Sequence, residues 1–123
     1  MGKLSAMPTA DQLLSFNRAV ALDRVGGDEE LLREVAELYM SEYEDLVAEI
    51  AAAVESGSAE MLHRSAHTLK GSLGTLGAEI AAAEALRLEM MGRNHEMAGA
   101  QQALVRLHGV LEQFHSELAL ALG

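Results

Sequence analysis

The chain has 123 residues, enough for one domain with a substantial hydrophobic core. Half of the residues are hydrophobic, yet only two Phe, two Tyr and no Trp occur, and Ala, Leu and Glu recur at helical spacing, which predicts an all-α protein. The formal net charge of -10, with nine Lys and Arg in total, disfavours nucleic acid as a partner, and the absence of cysteine excludes disulfides and thiolate metal sites.

The N-terminus carries no apolar run typical of a signal peptide, and charges interrupt every apolar stretch before about 18 residues. We therefore expect a soluble, cytoplasmic protein that does not enter a membrane. Residues 1–7 are predicted to be a flexible tail, and residues 8–123 a single helical bundle domain. Thr9 followed by Gln12 resembles a capping box for a short first helix that runs to about Asp23 and ends before Gly26 and Gly27.

The second predicted helix is long. Asp28 is its expected N-cap, and Gly57 stops it after about Ser56. Six apolar residues at helical spacing define its predicted core face: Leu31, Val35, Leu38, Leu46, Ile50 and Ala53.

Three further helices follow with short connections. Ser58 is expected to cap the third helix, which fades near Gly74 to Gly77, and a fourth runs from about Ala78 to Met91 before a turn at Gly92-Arg93-Asn94. The last helix is predicted from about His95 to Leu122, with a seam formed by Leu104, Leu107, Leu111, Phe114 and Leu118. Together these elements predict an up-and-down antiparallel four-helix bundle with a short additional N-terminal helix.

The third helix has two dissimilar sides. At about 100° per residue, one stripe is apolar and the opposite half carries His63, His67, Lys70, Gly71 and Gly74. The stripe predicted to pack consists of Leu62, Ala66, Leu69 and Leu73. A glycine within a helix costs roughly 0.5–1 kcal/mol relative to alanine, so Gly71 and Gly74 are better explained by close approach of a partner than by helix stability.

His67 and Lys70 suit phosphoryl transfer. A neutral imidazole is a good nucleophile toward an activated phosphoryl group, and a cation one turn away would stabilise the charge on the phosphoryl oxygens. Lys70 is the one lysine outside the N-terminal tail, and no carboxylate lies three or four residues from it. Its role is therefore expected to lie off its own helix.

The run Ala66-His67-Thr68-Leu69-Lys70-Gly71-Ser72, followed by Leu76-Gly77-Ala78, resembles the signature of histidine-containing phosphotransfer (HPt) domains. The stretches 26–32 and 86–89 resemble the start of the second helix and the fourth-helix pattern of that family, so the resemblance covers nearly the whole chain. It implies that His67 is the phosphorylated residue, that Lys70 assists the phosphate and that Gly71 leaves room for the partner. It also implies partners, namely receiver domains of response regulators or a hybrid histidine kinase.

The family resemblance implies a relay without a cofactor of its own, since Mg²⁺ would be carried by the receiver partner. The phosphoacceptor helix of histidine kinases is a rival, but the acidic residue after its histidine and its later proline are missing here. We therefore expect no autokinase activity. A helical docking module that works without phosphorylation remains the alternative function.

The other histidines are given no catalytic role. His63 is a possible rim residue of the phosphate surface, and His95, His108 and His115 are expected at surface or rim positions. His63 and His67 have the spacing of a helical metal pair, with Glu60 as a possible third ligand for metal-assisted hydrolysis. Because no further ligand is evident, no metal site is predicted.

Overall fold

The structure is a computed structural model that describes residues 13–122. Within that range it contains five α-helices and no strand, which confirms the predicted all-α class. The helices are α1 (Arg18–Arg24), α2 (Glu29–Ser56), α3 (Ala59–Thr75), α4 (Glu79–Arg93) and α5 (Ala100–Leu122). No helix in this part of the chain is long and apolar enough to cross a membrane. The predicted tail and the capping box at Thr9 and Gln12 lie outside the described residues.

The predicted boundaries of α2 and α3 are confirmed by their caps. The Asp28 side chain accepts hydrogen bonds from the backbone N–H groups of Glu30 and Leu31, and the Ser58 side chain accepts one from Met61. Gly57 ends α2 in the left-handed conformation, with φ 72°, which suits a residue without a Cβ.

The N-terminal helix begins later than predicted. Residues 13–17 are not helical, and Asn17 caps α1 by accepting a hydrogen bond from the Val20 N–H. The reason is that this segment is bonded to the start of α4: the Asn17 N–H donates to the Gly77 carbonyl over 2.7 Å, and the Ile80 N–H donates to the Leu14 carbonyl over 3.1 Å.

The connection between α4 and α5 also differs from the prediction. Helix α4 continues through Gly92 and Arg93, which were predicted to form a turn, and α5 starts at Ala100 instead of His95. His95 has φ 55° and Gly99 has φ 84°, both incompatible with a right-handed helix, so this stretch is a loop.

The core lies between the long helices. Helix α2 packs against α3, α3 against α4, and α4 against α5, while α2 also contacts α5 and α1 contacts α2 and α3. The predicted α5 seam is confirmed, since all five of its residues are buried. The predicted α2 face is partly wrong: Leu31 and Leu38 are 40% and 57% exposed. In the first half of α2 the buried stripe runs instead through Leu32, Ala36 and Tyr39, whereas the predicted Ile50 and Ala53 in the second half are buried.

Candidate functional site

Helix α3 has the two sides expected from its sequence. All four residues of the predicted stripe are completely buried, and the His67 side chain on the other side is 63% exposed. Gly71 is exposed as well, and a Cβ at this position would have no neighbour within 4 Å among the described residues. His63 and Lys70 are half-buried because they lean toward α4. An accessible imidazole is thus presented beside an open stretch of helix.

The buried Glu89 carboxylate of α4 contacts the three basic side chains of this face of α3. Glu89 Oε2 lies 3.0 Å from His67 Nδ1 and 3.8 Å from His63 Nε2. Glu89 Oε1 lies 2.8 Å from Lys70 Nζ, the closest ion pair of this cluster. The Glu89 side chain is only 7% exposed. The partner of Lys70 is therefore found off its own helix, as the sequence indicates.

The charge state of Glu89 results from two opposing effects. Burial would raise the pKa of Glu89, but the contacts and positive charges of Lys70 and His67 together outweigh burial and hold this pKa below its ordinary range. Glu89 is therefore a carboxylate at neutral pH, in spite of its enclosed position.

Glu89 determines which ring nitrogen of His67 is protonated. An ionised carboxylate only accepts hydrogen bonds, so the 3.0 Å contact requires the proton of the neutral imidazole to be on Nδ1. The ring's free lone pair is then on Nε2. Nε2 can therefore act as a nucleophile, while the Glu89 carboxylate contacts Nδ1 on the other side of the ring.

Sequence reasoning missed Glu89 as a site residue, although a signal was present. The buried positions of α4 include Ala81, Ala85, Leu88 and Gly92, and Glu89 falls four residues after Ala85 and three before Gly92. A carboxylate within a stripe of small and apolar residues needs a buried cationic partner. That requirement could have paired Glu89 with the lysine of α3.

The remaining predicted site residues have different surroundings. Gly74 is not open like Gly71: its carbonyl accepts a 2.5 Å hydrogen bond from Arg24 Nη1, and a Cβ would lie 3.6 Å from that nitrogen. Among residues 13–122, no group of three or more His, Asp or Glu side chains is arranged to hold a metal ion.

The three C-terminal histidines also differ. His95 and His108 are exposed, whereas His115 is half-buried and bonded to the Tyr39 hydroxyl over 2.6 Å. Burial lowers the pKa of His115. His115 thus joins α5 to α2 at the edge of the core and does not contribute to the His67 face.

Replacing Lys70 by alanine is expected to destabilise the protein in a pH-dependent way. The change leaves Glu89 buried without its closest cation, which costs about 1–3 kcal/mol of unfolding free energy at pH 7. Lys70 helps to lower the pKa of Glu89, so the stabilisation exists above the pKa of an ordinary glutamate, about 4.3, and disappears as the pH falls through the native value. Urea unfolding of parent and Lys70→Ala at pH 7 and pH 3.5 measures both effects.

The matched control compares the Glu89→Gln protein with the double variant Glu89→Gln/Lys70→Ala. Without the buried charge, Lys70→Ala should then have little effect on stability at either pH. An equal loss at both pH values in the original pair would mean that packing of the lysine stem, and not its charge, supports the site.

The site combines an exposed imidazole, a lysine on the next helical turn and a buried carboxylate behind them. These are the groups that a carrier of phosphoryl groups needs. The sequence model of the Hpt domain matches residues 34–117, and the chain therefore belongs to the Hpt domain family, with a phosphotransfer role in the phosphorelays of two-component signalling.

The fold agrees with this membership. The chain is similar to the crystal structure of histidine-containing phosphotransfer protein B (HptB) from Pseudomonas aeruginosa PAO1, with a TM-score of 0.80 and 18% sequence identity. The match covers 88% of this chain and 94% of the HptB chain. No match was found among curated proteins.

Proposed function

We propose that His67 is the phosphorylated residue, that it accepts a phosphoryl group from the aspartate of one receiver domain, and that it passes this group to another. The observation that carries the proposal is the hydrogen bond between His67 Nδ1 and Glu89, because it leaves a lone pair on Nε2 of an exposed ring. The protein acts as an intermediate without autokinase activity, and its partners are cytoplasmic receiver domains, free or within a hybrid histidine kinase.

The transfer step balances without another reactant. The Nε2 lone pair attacks phosphorus, the N–P bond forms, and the P–O bond to the receiver aspartate breaks, which returns the electron pair to that carboxylate. The ring keeps its Nδ1 proton and becomes a phosphorylated imidazolium. Glu89 then faces a full positive charge across 3.0 Å, so it stabilises the developing charge of the transition state more than the neutral ring.

Lys70 is the phosphate-assisting residue of the proposal. Its side chain is 30% exposed and its ammonium group already lies at the Glu89 carboxylate, one turn along the helix from His67. A lysine has a flexible stem and three donor hydrogens, so it can remain near Glu89 while it donates to a phosphoryl oxygen. The Mg²⁺ ion that neutralises the remaining phosphoryl charge is expected on the receiver, not on this chain.

We further propose that α2 to α5 form an up-and-down antiparallel bundle, with α1 as the additional helix. The proposal is supported by the α3 and α4 contacts, since Gly92 lies against Ala59 and His63 while Glu89 contacts His67 and Lys70 farther along α3. The contact between α2 and α5 also supports a closed four-helix arrangement. In this bundle the His67 face of α3 is accessible from outside.

The proposed function is tested by incubating the protein with receiver domains that have been phosphorylated with radiolabelled acetyl phosphate. Acid-labile label on this chain, located at His67 by peptide mass spectrometry, is the expected result. Transfer of that label to a second receiver would complete the relay. A chain that binds receivers but never becomes labelled would instead be a docking module.

Replacing Gly71 by glutamine is expected to block receiver docking while leaving the helix intact. A side chain at position 71 meets open space within the protein, and helix propensity should rise by about 0.5–1 kcal/mol. The bulk would stand next to His67 on the face that a receiver must approach. Receiver binding by calorimetry should weaken at least about tenfold, or about 1.4 kcal/mol.

Two controls accompany Gly71→Gln. Labelling of His67 by the small donor phosphoramidate should match the parent, and Gly109→Gln, at another helical glycine with no neighbour within 4 Å of a Cβ, should bind receivers normally. Unfolding of Gly71→Gln would refute the partner-approach role and assign the glycine to internal packing.

A further inference from the structure

A long groove lies between α2 and α5, two helices that do not carry His67. It consists of two hollows of about 530 and 370 Å³, and the described residues that line them all belong to α2 or α5. His115 lines both hollows, so they meet there and form one groove, the α2/α5 groove. It extends over residues 33–51 of α2 and 108–122 of α5, about 27 Å and about 21 Å at 1.5 Å per residue. A helix of about four to five turns has this length.

The surface of the α2/α5 groove includes uncovered apolar groups. Ala48 of α2 and Gly109 and Ala119 of α5 are exposed in it, and a Cβ at Gly109 would meet no atom within 4 Å among the described residues. Met40 in the second hollow is 42% exposed, and a methionine side chain adapts its shape to a partner. Apolar side chains of a partner would therefore gain free energy by covering this groove.

The two walls of the groove are joined to each other. The Tyr39 hydroxyl of α2 is hydrogen-bonded to His115 Nε2 over 2.6 Å, and Arg33 Nη2 donates to the Leu122 carbonyl over 2.9 Å. Both walls are also continuous helices rather than loops. The groove is thus preformed, so little ordering free energy is spent when a partner occupies it.

The rim of the α2/α5 groove carries an excess of negative charge. Three exposed glutamates line it: Glu37, Glu44 and Glu112. Among the described residues of the lining, Arg33 is the one arginine or lysine. Burial lowers the pKa of His115, which keeps this ring neutral at pH 7. Even with His108 protonated, the carboxylates would outnumber the cations, so the rim attracts a basic partner.

The same charge disfavours other occupants of the groove. A second copy of this chain has a formal net charge of -10 and would bring the same acidic rim, so two copies would repel each other there. Nucleic acid and an anionic membrane surface are repelled for the same reason. An amphipathic helix with lysine or arginine along both edges has the length, the apolar side and the charge that the groove complements.

We propose that the α2/α5 groove is a docking site for a basic amphipathic helix of a partner protein, whose apolar side packs into the groove while its flanking cations face Glu37, Glu44 and Glu112. The site is separate from the His67 face, because its lining comes from α2 and α5 and the His67 cluster from α3 and α4. One molecule can therefore hold this helix and a receiver at the same time.

The probe for this site is a fluorescein-labelled amphipathic peptide of about 18 residues, with leucine on one side and lysine on both edges. The same peptide with glutamate in place of lysine is the control for charge. Fluorescence anisotropy should show saturable binding of the lysine peptide to the parent protein, and at least about tenfold weaker binding of the glutamate peptide. A parent that binds neither peptide, or both equally, would overturn the proposal.

Gly109→Gln fills the groove at its open glycine and should weaken the lysine peptide at least about tenfold. Gly71→Gln, on the His67 face, is the matched control and should bind the peptide as the parent does. A saturating amount of peptide should also leave phosphoryl transfer between His67 and a receiver unchanged. Parent-like peptide binding by Gly109→Gln, or inhibition of transfer by the peptide, would place the peptide elsewhere and overturn the proposal.

A second pair of variants tests the acidic rim without adding bulk to the groove. Glu44→Lys/Glu112→Lys reverses two rim charges, and Glu34→Lys/Glu42→Lys reverses two exposed carboxylates of α2 outside the lining. Both double variants change the net charge equally, but only the first should weaken the lysine peptide at least about tenfold. Equal weakening would mean unspecific attraction to an acidic protein and would overturn the proposal. A parent that phosphoramidate never labels at His67 would overturn the proposed function and leave these binding results intact.

Discussion

A His67→Gln protein is expected to fold like the parent and to accept no phosphoryl group. The side chain is 63% exposed and contributes little packing, and a glutamine amide can still donate a hydrogen bond to Glu89. An amide nitrogen has no available lone pair for attack on phosphorus, so acid-labile labelling from phosphoramidate or from a phosphorylated receiver should fall by at least about a hundredfold. Circular dichroism and thermal unfolding should match the parent.

His63→Gln is the matched control for this substitution. His63 is one turn away on the same helix, is half-buried and approaches the same carboxylate at 3.8 Å. If His63 is only a rim residue, its variant should retain most of the labelling. Acid-labile phosphate that persists on His67→Gln and is lost from His63→Gln would exchange the roles of the two histidines.

Gly92→Ala is expected to destabilise the protein by disturbing the contact between α3 and α4. A Cβ at this position would lie 2.6 Å from both the Ala59 carbonyl oxygen and the His63 backbone nitrogen, so α3 and α4 must separate. Overpacking costs typically about 1–3 kcal/mol, and contacts this short with backbone atoms belong to the upper part of that range, so the gain of about 1 kcal/mol in helix propensity offsets only part of the loss. Urea unfolding should show the loss, and His67 labelling should slow because Glu89 moves with Gly92 on α4.

Gly109→Ala is the control for Gly92→Ala. Gly109 lies within α5, and a Cβ there would meet no atom within 4 Å, so this substitution should stabilise the protein by about 0.5–1 kcal/mol. If both alanine variants were stabilised alike, the close contact between α3 and α4 at Gly92 would be refuted.

The features that the sequence predicts best are local ones. The Asp28 and Ser58 caps, the Gly57 stop and the α5 seam depend on residues within a few positions of each other, and all are as predicted. The predictions are wrong where contacts with distant segments determine the helix boundary or the buried face. The start of α1 depends on bonds from residues 14–17 to residues 77–80. The core face of the first half of α2 depends on packing against other helices, which buries Leu32, Ala36 and Tyr39 in place of the predicted residues.

The candidate site also contains residues that the sequence predicts and one that it does not. The sequence places His67, Lys70 and Gly71 on one side of α3, because a helix has a known period. Glu89 is 22 residues from His67 and comes within 3.0 Å of it only through the register between α3 and α4. That register depends on the close contact at Gly92, which no periodic pattern reveals. A histidine's place on a helix is thus predictable, whereas the partner that orients its ring is not.

The position of Glu89 on a different helix from His67 connects reactivity to folding. If α4 detaches from α3, the chain still contains His67, but the ring loses the acceptor that holds its proton on Nδ1. In the unfolded chain or its fragments, Glu89 no longer fixes the tautomer of the His67 ring. Under the proposed function, phosphoryl uptake at His67 would therefore depend on intact packing of α4 against α3, and only folded molecules would transfer the phosphoryl group at full rate.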